Sequence, residues 1–163
     1  MNKAVFMEKF GAVYEHSPWV AESVFDKLAG SVPADADALG KQFKSAFLGA
    51  APELQLATLR AHPRLACALA DPSELTTDSA NEQAGAGLDQ CSEAELAEFG
   101  RLNSAYLEKF GYPFIVAVRG RDRYSILNLF RMRLQNDAVL EYQAALLQVC
   151  QIASFRIGDI INA

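Results

Sequence analysis

Apolar residues recur at the helical period along nearly the whole chain, and only one stretch, Phe114–Val118, reads as a strand. A lone strand finds no partner for its backbone groups and cannot make a sheet. The expected fold class is therefore all-α, one compact multi-helix domain over residues 1–163. Start and stop signals divide the helices. Asn2 can cap a first helix that ends near Gly11. Ser17-Pro18 reads as an N-cap with proline at the first helical position, and Gly30 as the stop. Ser31–Asp37 reads as a linker, and Leu39, Phe43, Ala46 and Phe47 then mark an amphipathic helix. Pro52 opens the next helix, in which Leu54, Leu56, Leu59 and Ala61 lead to His62-Pro63. Proline disfavours helix at the residue before it, so His62 falls at a helix end.

A short apolar helix is expected over Leu65–Ala70. Asp71–Gln90 then reads as a polar, glycine-containing connection, longer than most in a compact domain. Ser92 and Glu95 form a capping box for a helix running to about Lys109, with Gly111 as its stop. Two further helices, Tyr124–Gln135 and Ala138–Ile161, are joined by a turn at Asn136-Asp137.

Composition narrows what such a bundle does. The chain has 163 residues, 51% of them hydrophobic, enough for a real core. A net charge of −5 argues against a nucleic-acid partner, which needs a basic surface. The first ten residues carry both charge signs, and the chain shows neither a signal peptide nor an apolar run of about 20 residues, so no membrane association is expected. Cys67, Cys91 and Cys150 are odd in number and lack CxxC spacing. That usage points to a reducing compartment, and a cytoplasmic location is expected.

Metal and cofactor motifs are missing. His16 and His62 stand far apart without HExxH or paired-cysteine spacing, so no metal site is expected. Gly85-Ala86-Gly87 follows no strand and is not a dinucleotide fingerprint, and no GxSxG or Walker motif occurs. An enzyme of this composition works with side chains and backbone alone, with no cofactor.

Three segments carry what chemistry there is. His62 sits where a helix dipole and free carbonyls favour a protonated imidazole, although a structural role at the helix end suits it as well. Ser79-Ala80-Asn81-Glu82-Gln83 lies in the polar connection. There Ser79 and Glu82 fit a capping box for a short helix, and a helix N-terminus also offers N–H groups to an anion. Phe114-Ile115-Val116-Ala117-Val118 supplies apolar side chains for the core and backbone N–H groups that need acceptors. Arg156, on an apolar face of the last helix, either pairs with a residue such as Asp159, snorkels, or offers a planar fork to a carboxylate or ureido group. His16 reads as a helix-entry histidine.

These segments, in order, resemble the family of 2-oxo-4-hydroxy-4-carboxy-5-ureidoimidazoline (OHCU) decarboxylases of urate degradation. The matching pieces are Glu15-His16-Ser17-Pro18-Trp19-Val20, Ala61-His62-Pro63-Arg64-Leu65-Ala66, and Ser79–Gln83 followed by Ala86-Gly87-Leu88. They continue through Leu102–Tyr106, Lys109–Val116, and Glu141 to Arg156. The resemblance implies an all-helical homodimer that forms (S)-allantoin from the ureidoimidazoline without metal or organic cofactor. It implies His62 as the proton-transfer residue, assisted by Glu82. Substrate contacts are implied for Pro63, Ser79, Ala80, Asn81, Glu82, Gln83, Phe114, Ile115, Val116, Ala117, Val118 and Arg156. Arg64 stands where an acidic residue is common in the family, and Tyr112 replaces a usual phenylalanine. The competing expectations are a non-catalytic helical module and a different lyase or hydrolase of a ureido compound.

Overall fold

The computed structural model describes residues 1–66 and 75–163. Among these residues it contains eight α-helices and one short 3₁₀ helix, with no strand. The helices are α1 (Lys3–Phe10), α2 (Trp19–Leu28), α3 (Ala36–Leu48), α4 (Pro52–Ala61), α5 (Thr77–Gly85), α6 (Glu93–Phe110), α7 (Arg123–Leu134) and α8 (Ala138–Asn162), with the 3₁₀ turn at Leu88–Gln90. The fold class is all-α as expected. Most of the helix expected at Leu65–Ala70 lies outside the described residues, and Leu65 and Ala66 form a turn.

The described residues form two compact units, one of Met1–Ala61 with Leu146–Ala163, the other of His62–Ala145. In the first unit, Phe6, Phe10, Tyr14, Phe43 and Phe47 are buried together, with the Tyr14 and Phe47 ring centroids 4.9 Å apart. Phe6 and Phe10 lie on the buried side of α1, and Leu39, Phe43 and Phe47 on that of α3, as the helical period sets them. Gln55 on α4 donates to the carbonyls of Phe47 and Leu48 at the end of α3, 3.1 and 3.0 Å away. The buried side of α4 is Gln55, Thr58 and Leu59, while Leu54 is exposed. Satisfying the carbonyl ends of α3 turns α4 toward its polar residues.

In the second unit Phe99, Tyr106, Phe114 and Phe130 form the aromatic centre, and the Phe114 and Phe130 rings stack. The Ser92–Glu95 capping box starts α6, and Gly111, at φ 79°, stops it. Asp122 and Ser125 make a second capping box that starts α7.

Several local expectations change. Ser17 does not cap α2, whose N-cap is Pro18 without a side-chain bond. Its hydroxyl bonds instead to the Glu15 carbonyl and to Thr58 Oγ1, at 2.9 and 2.8 Å, because it is buried against α4. At the other end of α2 the C-cap is Ala29, in a left-handed conformation, and Gly30, expected as the stop, follows at φ 86°. The linker is shorter than expected, since Asp35 caps α3. Phe114–Val118 is extended and buried but belongs to no sheet. Helix α8 has the length and mean hydropathy (1.4) that would suffice to cross a membrane. It also carries buried Glu141 and Arg156, each ion-paired within the protein, as a core helix does.

Candidate active site

His62 follows the last residue of α4 and is buried, with Pro63 next in the chain. The segment after it is held by two neutral amide side chains. Gln83 of α5 accepts from the Ala66 N–H at 3.0 Å and donates to the Arg64 carbonyl at 3.4 Å. Asn103 of α6 donates to the Leu65 carbonyl at 3.0 Å. Ala66 sits at φ 57°, a left-handed conformation that costs a non-glycine residue about 1–2 kcal/mol. Bonds on three consecutive residues keep it there. The Asn103 Oδ1 is buried without a hydrogen-bond partner.

The residues expected in a polar loop stand on a helix instead. Ser79, Ala80, Asn81, Glu82 and Gln83 all belong to α5. Its cap is Thr76, whose hydroxyl accepts from the Ser79 N–H at 3.2 Å, so Ser79 lies one turn inside rather than at the cap. Thr76 begins the run of capping residues, and an earlier cap adds helical turns that a later one forfeits. Ser79 and Gln83, four residues apart, form the buried face with Ala86 beyond them. Glu82 is half-buried beside that face, Ala80 is half-buried, and Asn81 is exposed.

Phe114, Ile115, Val116, Ala117 and Val118 are all buried. The Ile115 carbonyl accepts from Arg133 Nη1 at 2.6 Å, and the Val118 carbonyl from the Arg121 N–H at 3.0 Å. The guanidinium of Arg133 lies over the Phe114 ring, 4.5 Å from its centroid. Arg133 also binds Glu141 Oε1 through Nε and Nη2, at 2.9 and 2.6 Å. Tyr106 donates its hydroxyl to the same oxygen at 2.5 Å, and Asn136 donates to Oε2 at 3.0 Å. Glu141 is fully buried, and every donor around it belongs to the second unit. Burial and the neighbouring carboxylate push the Tyr106 phenol above its ordinary range.

Arg156 belongs to the first unit. Its Nη1 donates to Glu15 Oε2 at 2.8 Å and to the Val13 carbonyl at 3.4 Å. Both side chains of the ion pair are buried. Glu15 therefore gives the buried Arg156 guanidinium a carboxylate partner. His16, beside Glu15, is exposed at φ 48° and takes no part in this pair.

The structure thus brings His62, Pro63, the buried face of α5 and the Phe114–Val118 segment into the second unit, with Arg156 in the first. Glu15, Asn103 and Arg133 support these residues and were not singled out by sequence reasoning. Asn103 and Glu15 fall inside matched segments, the one signal that points to them. Among the described residues, no group of three or more His, Cys, Asp and Glu side chains is arranged to hold a metal ion. Cys91 and Cys150 are free thiols, and Cys67 lies outside the described residues. A groove of about 410 Å³ in the first unit, lined by Lys41, Lys44, Gln151 and Ser154 among others, contains none of the expected site residues.

Comparison with known proteins identifies the family. The OHCU decarboxylase family model matches residues 1–158. The chain is 38% identical to the 2-oxo-4-hydroxy-4-carboxy-5-ureidoimidazoline decarboxylase of Haloferax volcanii, across 94% of this chain and 88% of that one. It is 34% identical to the uric acid degradation bifunctional protein PucL of Bacillus subtilis, covering 99% of this chain but 31% of that larger protein. Among solved structures, (S)-allantoin synthase superposes with a TM-score of 0.78 at 27% identity, over 98% of this chain and 51% of that one. An OHCU decarboxylase structure determined with (S)-allantoin superposes at 0.73 and 21% identity, over 93% and 96% of the two chains, and supports the fold. With its helical architecture and its matched segments in place along the full length, this chain belongs to the OHCU decarboxylase family.

Proposed function

We propose that this protein decarboxylates OHCU to (S)-allantoin in urate degradation, with His62 as the proton-transfer residue and Glu82 assisting it. The observation that carries the reading is the correspondence, across 94% of the chain and 88% of the relative, with a protein named for this decarboxylation. Residues 1–163 then work as one functional domain, in keeping with a family match that runs over residues 1–158.

The chemistry suits groups of this kind. The bond between the ring carbon and its carboxylate breaks, CO₂ leaves, and the electron pair spreads into the ring C=N and carbonyl groups. A proton then arrives at that carbon on one face. Donors aimed at the developing charge lower the barrier, and a fixed imidazole delivers the proton. His62 is held by the amide-clamped segment that follows it, and Glu82 lies beside the buried Ser79–Gln83 face of α5. In this reading Pro63, Ser79–Gln83 and the backbone of Phe114–Val118 line the substrate, and Arg156, oriented by Glu15, binds its carboxylate or ureido group. The reaction has no step that calls for a metal or organic cofactor.

Spontaneous decarboxylation gives racemic allantoin, so the test is optical. The unstable substrate is generated in place from urate by the preceding oxidation and hydrolysis, and circular dichroism follows the product. The protein should accelerate formation of the S enantiomer, and an unchanged racemic product would overturn the reading. The same reading includes a cytoplasmic homodimer. Exposed Tyr124, Met132, Val139 and Leu140 in the second unit provide apolar surface for self-association. Light scattering on the eluting protein should give twice the chain mass of 17.8 kDa.

A further inference from the structure

We propose that Arg133 is a positioning residue for the decarboxylation: by holding the Ile115 carbonyl it aims the Val116 N–H, on the opposite side of the same peptide, as a donor to the bound substrate. The inference rests on the proposed function and adds to it a residue outside the substrate-lining segments.

The geometry starts from the peptide itself. The described peptide bonds are trans, so the carbonyl of Ile115 and the N–H of Val116 point in opposite directions from one rigid plane. Arg133 Nη1 holds that carbonyl at 2.6 Å, which fixes the plane and directs the Val116 N–H away from the guanidinium. Val116 is buried, and its amide makes no hydrogen bond among the described residues. A buried N–H without an acceptor is costly, and a polar ligand group supplies what it lacks.

The rest of the network keeps the guanidinium from turning. Two of its nitrogens are taken by Glu141 Oε1, and its face covers the Phe114 ring, leaving Nη1 directed at Ile115. Tyr106 and Asn136 fix the carboxylate in turn. As a source of stability alone this is an expensive arrangement. A buried ion pair often gains nothing over apolar side chains of the same volume. What those side chains cannot do is set the rotation of one peptide plane.

The test uses the full chain labelled with ¹⁵N and titrated with (S)-allantoin, alongside steady-state kinetics. In the wild type the Val116 amide resonance should shift on binding. Arg133→Lys keeps a charge for Glu141 but lacks the planar fork. It should bind allantoin roughly tenfold more weakly and raise KM by roughly tenfold with kcat little changed, as expected for one lost hydrogen bond, and its Val116 resonance should no longer move. A double variant, Arg133→Met with Glu141→Gln, removes both charges together and should show the same loss while remaining folded. Gln55→Leu, which breaks structural hydrogen bonds in the first unit, should lower the melting temperature and leave KM unchanged. Either Arg133 variant binding allantoin as the wild type does, with the Val116 shift intact, overturns the inference. So does wild-type turnover with an unmoved Val116 resonance, whatever the variants do, and the decarboxylase reading then still stands. A wild type that neither turns over substrate nor binds allantoin overturns both.

Discussion

In the proposed mechanism, His62 and Arg156 are the two residues that test chemistry against support. His62→Asn should lower turnover by roughly 10²–10⁴-fold, the range for removing a positioned acid or base. Its helical circular dichroism should be unchanged and its melting temperature within a few degrees. Turnover within a few-fold of wild type would remove His62 from the mechanism. Glu15→Gln tests the other residue from behind, because it leaves the buried Arg156 without its carboxylate. Urea unfolding should show a loss of about 3–5 kcal/mol, the usual result of breaking a buried pair. A loss under about 1 kcal/mol would mean that Glu15 does not carry the charge of Arg156. At this scale the sequence offered candidate residues but not what they touch. Asp159, at i+3, was the local candidate to pair with Arg156, and nothing in the local pattern pointed to Glu15, whose carboxylate reaches its Nη1 from 141 positions away. No spacing rule reaches that far.

Helix ends set the precision of the site. Thr76 caps α5, which carries Ser79–Gln83, and Ser92 caps α6. Thr76→Ala and Ser92→Ala should each cost about 1 kcal/mol in urea unfolding. Only Thr76→Ala should also raise KM, because α5 presents the proposed substrate face. Equal KM values for the two variants would detach the start of α5 from the site. The Ser92–Glu95 box was legible because its parts lie within four residues and an apolar helix follows. Thr76 was not, since Thr76, Thr77, Asp78 and Ser79 are all able to cap and α5 has only nine residues. Phe114–Val118 was legible as an extended segment with no sheet to join, but not in where its carbonyls go. Its β-branched residues favour extended backbone, and extended it is, but its Ile115 and Val118 carbonyls go to Arg133 and Arg121 instead of a neighbouring strand.

Across the whole molecule, the buried tyrosines couple stability to alkaline pH. Burial raises the phenols of Tyr14 and Tyr106 above their ordinary range and pushes Tyr112 up to about 12. For each, the unfolded chain gives up its proton first, near pH 10. Their contribution is therefore complete below about pH 10 and is lost as pH rises through the folded-state values. Urea midpoints should fall above pH 10, and Tyr112→Phe should flatten part of that fall between about 10 and 12. The Tyr112 hydroxyl is buried without a partner of good geometry, so the same variant should be neutral or up to about 1 kcal/mol more stable at pH 7. An unaltered alkaline profile in Tyr112→Phe would show that Tyr112 titrates as freely folded as unfolded. The all-α class was legible at this scale because the helical period runs through both units. The division into Met1–Ala61 with Leu146–Ala163 and His62–Ala145 was not, since it depends on the first unit being completed by the end of the chain.

The two amides on the segment after His62 have one more consequence. Gln83 and Asn103 hold Arg64, Leu65 and Ala66 through groups that neither gain nor lose a proton between the acid and alkaline extremes. These three bonds after His62 are thus indifferent to pH in the range where a histidine switches. A bend in the rate profile near neutrality is then not owed to these two amides gaining or losing a proton.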